Sequence, residues 1–154
     1  RIISKHLDAR SFITMTYAVV DMRARTITCA RAGHCPLIYV PGPNGGARTP
    51  QVLTPEGMVL GLQFDLGDTF DRLLEEVTLP LAQGDLFVLY TDGISEAMNG
   101  HGDCFGDQRL VDLAECHADM TCNDLSERIL GEVHTFTGDA AQHDDMTMVL
   151  LKIN

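Results

Sequence analysis

Basic residues are scarce in this chain of 154: 11 Lys and Arg stand against 22 Asp and Glu, for a net charge of −11. A nucleic-acid binder needs a cationic face to meet phosphates, so this balance argues against one. It suits a protein that binds cations and is also ordinary for a cytosolic protein. Long apolar runs are missing too. Hydrophobic residues make up 45% of the chain and mean hydropathy is near zero, yet no run approaches the roughly 18 residues of a membrane span, so the sequence reads as soluble. No secretory signal is visible. The five cysteines (Cys29, Cys35, Cys104, Cys116 and Cys122) are odd in number and lack a Cys-x-x-Cys pair. That excludes a disulfide framework and a cysteine zinc site and points to a reducing, cytoplasmic setting. There is no His-Glu-x-x-His, no Gly-x-Ser-x-Gly elbow and no cysteine in a cationic loop, so zinc-protease, serine-hydrolase and thiol chemistries lack their sequence patterns. Repeats, linkers and low-complexity tracts are absent, and residues 1–154 read as a single domain.

What is present is organised around residues 86–97. Leu86-Phe87-Val88-Leu89-Tyr90 is an unbroken apolar run, the pattern of a strand buried on both faces. It stops at Asp92-Gly93, a turn signal. Taken alone, Asp92 reads either as a turn cap or as a carboxylate held on a rigid strand end, where it could bind a hard cation. A second stretch bears on that choice. His143-Asp144-Asp145 leads into Met146-Thr147-Met148-Val149-Leu150-Leu151, read as a further buried strand that begins at the acids. Strand side chains alternate, so one acid would face the site and the other its surroundings. If the two strands are antiparallel, Asp92 and one of the pair meet at one sheet edge. They would repel there unless a divalent cation sat between them.

Elsewhere the pattern predicts a helix end at Arg1–Asp8 and a hairpin of Phe12–Val20 with Thr26–Ala32. Further strands are expected at Pro36–Val40, Gln51–Leu53 and Phe70–Leu79, the last with a helical turn at 71–76 as the alternative. Pro41–Gly46 reads as an exposed loop and Met58–Leu62 as an apolar patch. Helices are predicted at Asp107–Ala118 and at Asn123–Phe136, the second capped by Asn123 and ended by Gly138. The sum is an α+β domain built on antiparallel sheet. His34 is expected to order its turn by bonding backbone.

Tyr90-Thr91-Asp92-Gly93-Ile94-Ser95-Glu96-Ala97 and Asp144-Asp145-Met146-Thr147 resemble two signature motifs of the metal-dependent PPM-type serine/threonine protein phosphatases. Ala32-Gly33-His34-Cys35-Pro36-Leu37 and Phe105-Gly106 are similar to segments of the bacterial branch typified by stage II sporulation protein E and the regulators of sigma factors. The resemblance implies a layered α-β-β-α sandwich and hydrolysis of phosphoserine or phosphothreonine by water activated between two Mn²⁺ or Mg²⁺ ions. It implies that Asp92 and Asp144 are metal ligands, with Gly93 and Asp145 supporting them or serving as ligands themselves, and His143 near substrate. The implied substrate is a phosphorylated anti-anti-sigma-type protein, and an upstream sensor or receiver domain is expected in the parent chain. The family's N-terminal acid-glycine motif has no match before Phe12. The chain therefore reads as the C-terminal two-thirds of such a domain, without its N-terminal strands and first helix, weakly active or inactive, with exposed sheet that favours a homodimer. The alternative is a non-catalytic regulatory or interaction domain on the same fold.

Overall fold

A computed structural model describes residues 11–43, 48–61 and 69–154. The expected helix end at Arg1–Asp8, the tip of the Pro41–Gly46 loop and Leu62 lie outside those residues. The chain divides into two compact units, Arg1–Pro36 with Leu53–Leu81 and Leu37–Val52 with Ala82–Asn154.

The first unit is built on a three-stranded antiparallel sheet. β1 (Met15–Asp21) and β2 (Thr26–Ala32) pair in register from Met15↔Ala32 to Asp21↔Thr26, and β5 (Glu76–Pro80) lies on the other side of β2. The connecting turn is fixed by Asp21, whose Oδ1 accepts the N–H groups of Arg23 and Ala24 at 2.8 and 2.9 Å. Those two bonds hold the Asp21 carboxyl below its ordinary range. Strand alternation sorts the faces: Ile27 and Cys29 are buried, while Met15, Tyr17 and Val19 of β1 are exposed. Burial pushes the Cys29 thiol pKa up.

The second unit carries a four-stranded sheet in the order β4-β3-β6-β7, from β3 (Leu37–Val40), β4 (Gln51–Leu53), β6 (Leu86–Tyr90) and β7 (Met148–Lys152). β6 is central, with Leu86, Phe87, Val88 and Tyr90 each at most 3% exposed. It runs antiparallel to β3 and β7, and the Tyr90↔Met148 pair closes the β6–β7 ladder. Tyr39 stacks on its cross-strand partner Phe87 with ring centroids 4.9 Å apart. α3 (Asp107–Cys116) packs on β3 and on α4 (Cys122–Thr137), which packs on β7. Leu125, Ile129 and Val133 form the buried stripe of α4 at spacings of four residues, the period of one helix face.

Asp85 is the one charged side chain fully buried among the described residues. Its Oδ1 accepts the Tyr39 hydroxyl at 3.2 Å and the Gly42 N–H at 2.7 Å, and its Oδ2 accepts the Ala82 N–H at 2.7 Å. The carboxylate ties the end of β3 to the turn before β6. Burial, then the adjacent charge of Asp85, pushes the Tyr39 pKa up to about 12.

Several expectations need correction. Phe70–Leu79 is not one strand: α1 (Thr69–Leu73) is a helical turn closed by Leu74 N–H to Phe70 O, and alternation starts at Glu76. Phe12 and Ile13 precede β1, Ile13 pairing instead with Leu60. Gly42, expected in an exposed loop, is buried because its N–H is needed by Asp85. α4 is capped by Thr121, whose hydroxyl accepts the Asp124 N–H, and so begins before Asn123. The His34 ring bonds the Thr14 hydroxyl at 3.0 Å, a side chain in place of backbone.

Candidate functional site

β6 ends at Tyr90 and the chain turns at once into a four-residue helix, α2 (Asp92–Ser95), in place of the simple turn expected there. Gly93, Ile94 and Ser95 are buried and Asp92 is exposed at the helix tip. Thr91 occupies the N-cap position without bonding α2 through its side chain. Its hydroxyl donates to Asp145 O at 3.0 Å and accepts the Thr147 N–H at 2.9 Å, while its N–H donates to Thr147 O at 3.0 Å. These bonds extend the β6–β7 ladder past its last strand pair and fasten the two acid-bearing segments together.

Gly93 makes the approach possible. A Cβ placed on it would fall 2.8 Å from the Asp145 carbonyl carbon and closer still to its oxygen, so only glycine lets the main chains lie this close. Asp92, Gly93, Asp144 and Asp145 are thus brought to one end of the second unit's sheet. The reason differs from that inferred from strand alternation. Asp144 and Asp145 lie in irregular chain before β7, which begins only at Met148, so alternation does not assign their directions. β7 itself is an edge strand with Val149 56% exposed, not a fully buried one.

Each candidate ligand is oriented by the next residue in the chain. Asp92 Oδ1 accepts the Gly93 N–H at 3.1 Å, and Asp144 Oδ1 accepts the Asp145 N–H at 2.7 Å. Gln142 Nε2 donates to Asp144 O at 2.7 Å and steadies the loop. His143 is exposed and lines a cavity of about 150 Å³ between Ala97, His134 and Met146, beside the acids. His34, from the Ala-Gly-His segment, belongs to the first unit. Gly33 there has φ +66°, and a Cβ on it would clash with Val59, so its part is to shape a turn.

Three contacts carry no direct signal in the sequence: the Thr91–Thr147 exchange, the bonds from Phe105 N–H to Ala97 O and Gly106 N–H to Ser95 O, and the bond from Arg109 Nη1 to Phe105 O. Each is a main-chain or long-range bond with no periodic signal. The placement of both threonines inside the acid motifs was the available hint.

The profile of the stage II sporulation protein E (SpoIIE) family matches residues 1–154. The chain belongs to this family. It is 31% identical over 153 residues to phosphoserine phosphatase RsbU of Bacillus subtilis, a match that covers 99% of this chain and 42% of RsbU. Among solved structures, it is similar to the SiaA-PP2C domain of Pseudomonas aeruginosa, with TM-score 0.75 and 25% identity over 94% of this chain and 53% of that one. It also resembles the phosphatase domain of SpoIIE from Bacillus subtilis, from an Mn-presoaked crystal, with TM-score 0.59 and 19% identity over 92% and 56% of the two chains. The chain thus spans under half of RsbU and just over half of these solved chains. Helices with antiparallel sheets, as expected from the sequence, are the fold of these PP2C-type domains.

The divalent ions associated with such a fold can be tested against this SpoIIE-family chain. Asp92 and Asp144 offer exposed, hard oxygen donors, the chemistry that Mn²⁺ and Mg²⁺ select. Among the described residues no cluster of three or more His, Cys, Asp or Glu side chains is placed to hold a metal. The donor type suits a hard ion, and the number of donors among the described residues falls short of a full shell. No helix among the described residues is long and apolar enough to cross a membrane.

Proposed function

We propose that this chain carries the acid end of a PPM-type phosphatase site that hydrolyses phosphoserine or phosphothreonine in a regulatory protein of the anti-anti-sigma type. The observation that carries the reading is the fastening of Thr91-Asp92-Gly93 to Asp144-Asp145 in a SpoIIE-family chain. Asp92 and Asp144 would hold a divalent cation, Mn²⁺ or Mg²⁺. Gly93 would keep the two main chains close, and Asp145 would support Asp144 from the adjoining peptide or bind the ion itself. A divalent cation held there would supply an acidified water and positive charge for the phosphoryl oxygens. The chain's own part is to orient carboxylates: Asp92 and Asp144 are aimed by hydrogen bonds from Gly93 N–H and Asp145 N–H. His143, which lines the cavity, would meet substrate. The name of RsbU, a phosphoserine phosphatase, and the Mn-presoaked crystal of the SpoIIE domain support this reading. A cytoplasmic setting and a sensor or receiver domain elsewhere in the parent protein belong to the same proposal.

A Mn²⁺ titration by calorimetry on the native chain and Asp92→Asn, with hydrolysis of a small phosphate monoester, tests it. Binding that weakens at least tenfold in the variant, with loss of whatever turnover the native chain shows, is expected. Equal binding in both proteins would overturn the assignment of Asp92. A second reading, a regulatory or interaction domain without catalysis, is favoured by the lack of a three-ligand cluster among the described residues. It predicts neither turnover nor Asp92-dependent binding.

A further inference from the structure

α2 has four residues, a single turn in which Glu96 N–H donates to Asp92 O at 2.7 Å. A helix that short does not hold itself in water. What holds it on the side of the acid pair is Thr91. On its other side lies the segment 104–109. Phe105 N–H donates to Ala97 O at 2.8 Å and Gly106 N–H donates to Ser95 O at 2.7 Å, so this segment satisfies the last carbonyl of α2 and one just after it. Gly106 then turns into α3 with φ +87°.

The segment is in turn held by Arg109. Its Nη1 donates to Phe105 O at 2.6 Å and to Cys104 O at 3.1 Å. Its guanidinium carbon lies 4.6 Å from the centre of the Phe136 ring on α4 and 5.9 Å from that of Phe105. The two rings meet edge to face at 5.6 Å. One planar cation therefore joins three elements: from the first turn of α3 it bonds the backbone that grips α2 and covers an aromatic ring of α4. The guanidinium donates twice through one nitrogen while its carbon lies over the rings, and a lysine ammonium has no planar group to fill the second part. Tyr90 adds a parallel tie, donating its hydroxyl to Asp107 Oδ1 at 2.8 Å between the end of β6 and the first turn of α3.

We propose that Arg109 is a positioning residue: through Phe105 and Gly106 it holds α2, and with it Asp92, against the Asp144–Asp145 segment. The strut stands on the geometry alone; its consequence for cation binding rests on the metal reading proposed above.

Two readouts keep these separate. Amide hydrogen exchange, measured without metal on the native chain, Arg109→Met and Arg109→Lys, reads the strut. Exchange at Glu96, Phe105 and Gly106 is expected to accelerate about tenfold or more in Arg109→Met and less in Arg109→Lys, with the β6–β7 amides unchanged. Unchanged exchange at those three amides overturns the proposal whatever the metal result. Mn²⁺ calorimetry on the same proteins reads the consequence. The dissociation constant is expected to rise about tenfold in Arg109→Met, the scale of changes behind a ligand, and by less in Arg109→Lys. An arginine that serves only stability would lower the Tm and leave Mn²⁺ affinity at the native value well below the transition; that result also overturns positioning. A native chain that binds Mn²⁺ no better than Asp92→Asn counts against the metal reading, while the exchange data still decide whether Arg109 holds α2.

Discussion

Gly93→Ala is the sharpest test of how the two acid motifs meet. The added methyl would sit 2.8 Å from the Asp145 carbonyl carbon and nearer its oxygen, where an ordinary contact needs at least 3.4 Å. Both atoms are main chain, so no side chain can rotate away. The segments must separate by more than half an ångström, which strains the 3.0 Å bond from the Thr91 hydroxyl to Asp145 O. Overpacking of this kind costs about 1–3 kcal/mol, and a weakened hydrogen bond adds about 1 kcal/mol. The total, about 2–4 kcal/mol, corresponds to a Tm lower by roughly 5–15 °C for a chain of this length. Mn²⁺ affinity should fall with it, by about tenfold or more. Gly131→Ala is the matched control. Gly131 lies within α4, and a Cβ there meets nothing within 4 Å, so alanine should stabilise by about 0.5–1 kcal/mol. Thermal and urea unfolding with Mn²⁺ calorimetry read both variants. A Gly93→Ala protein as stable as the native chain, with Mn²⁺ affinity intact, would refute the close approach of Gly93 to Asp145.

Two further outcomes follow from the buried carboxylate. Asp85→Asn can offer one oxygen where three donors now converge, leaving a buried N–H facing an amide N–H; a loss of about 2 kcal/mol in urea unfolding is expected, and a native midpoint would show that Asp85 does not clamp the turn. Tyr39, with its pKa raised to about 12 by burial and by Asp85, should make the fold less stable as pH rises from the ordinary tyrosine value near 10. Its proton is kept by the folded state and lost first from the unfolded one, so the contribution is complete below about pH 10 and gone above about pH 12. Tyr39→Phe should unfold with a shallower alkaline dependence, and equal slopes in the two proteins would count against the raised pKa.

Features set by neighbouring residues are legible in the chain's sequence. Strands at Thr26–Ala32, Gln51–Leu53 and Leu86–Tyr90 fall where composition and turn signals put them, because alternation or unbroken apolarity is a local property. The stripe of α4 and its end at Gly138 were equally legible. Errors gathered where a local pattern competes with a distant partner. Residues 70–79 carry both a helical turn and a strand, and the boundary is set by where β5 finds β2. Asp144 and Asp145 precede a strand, but their segment leaves regular structure because Thr91 and Gly93 take its backbone.

By itself, then, the sequence determined the fold class and the central buried strand and marked four residues as candidates for a site, since each is written in runs, turns and motifs a few residues long. The tertiary structure decided how those residues meet. Gly93 against the Asp145 carbonyl, the Thr91–Thr147 exchange, the Asp85 clamp and the Arg109 strut all join positions 17 or more residues apart or act through main-chain atoms that every residue shares. Such bonds leave no periodic trace, because a peptide N–H or carbonyl has the same chemistry whatever side chain it carries.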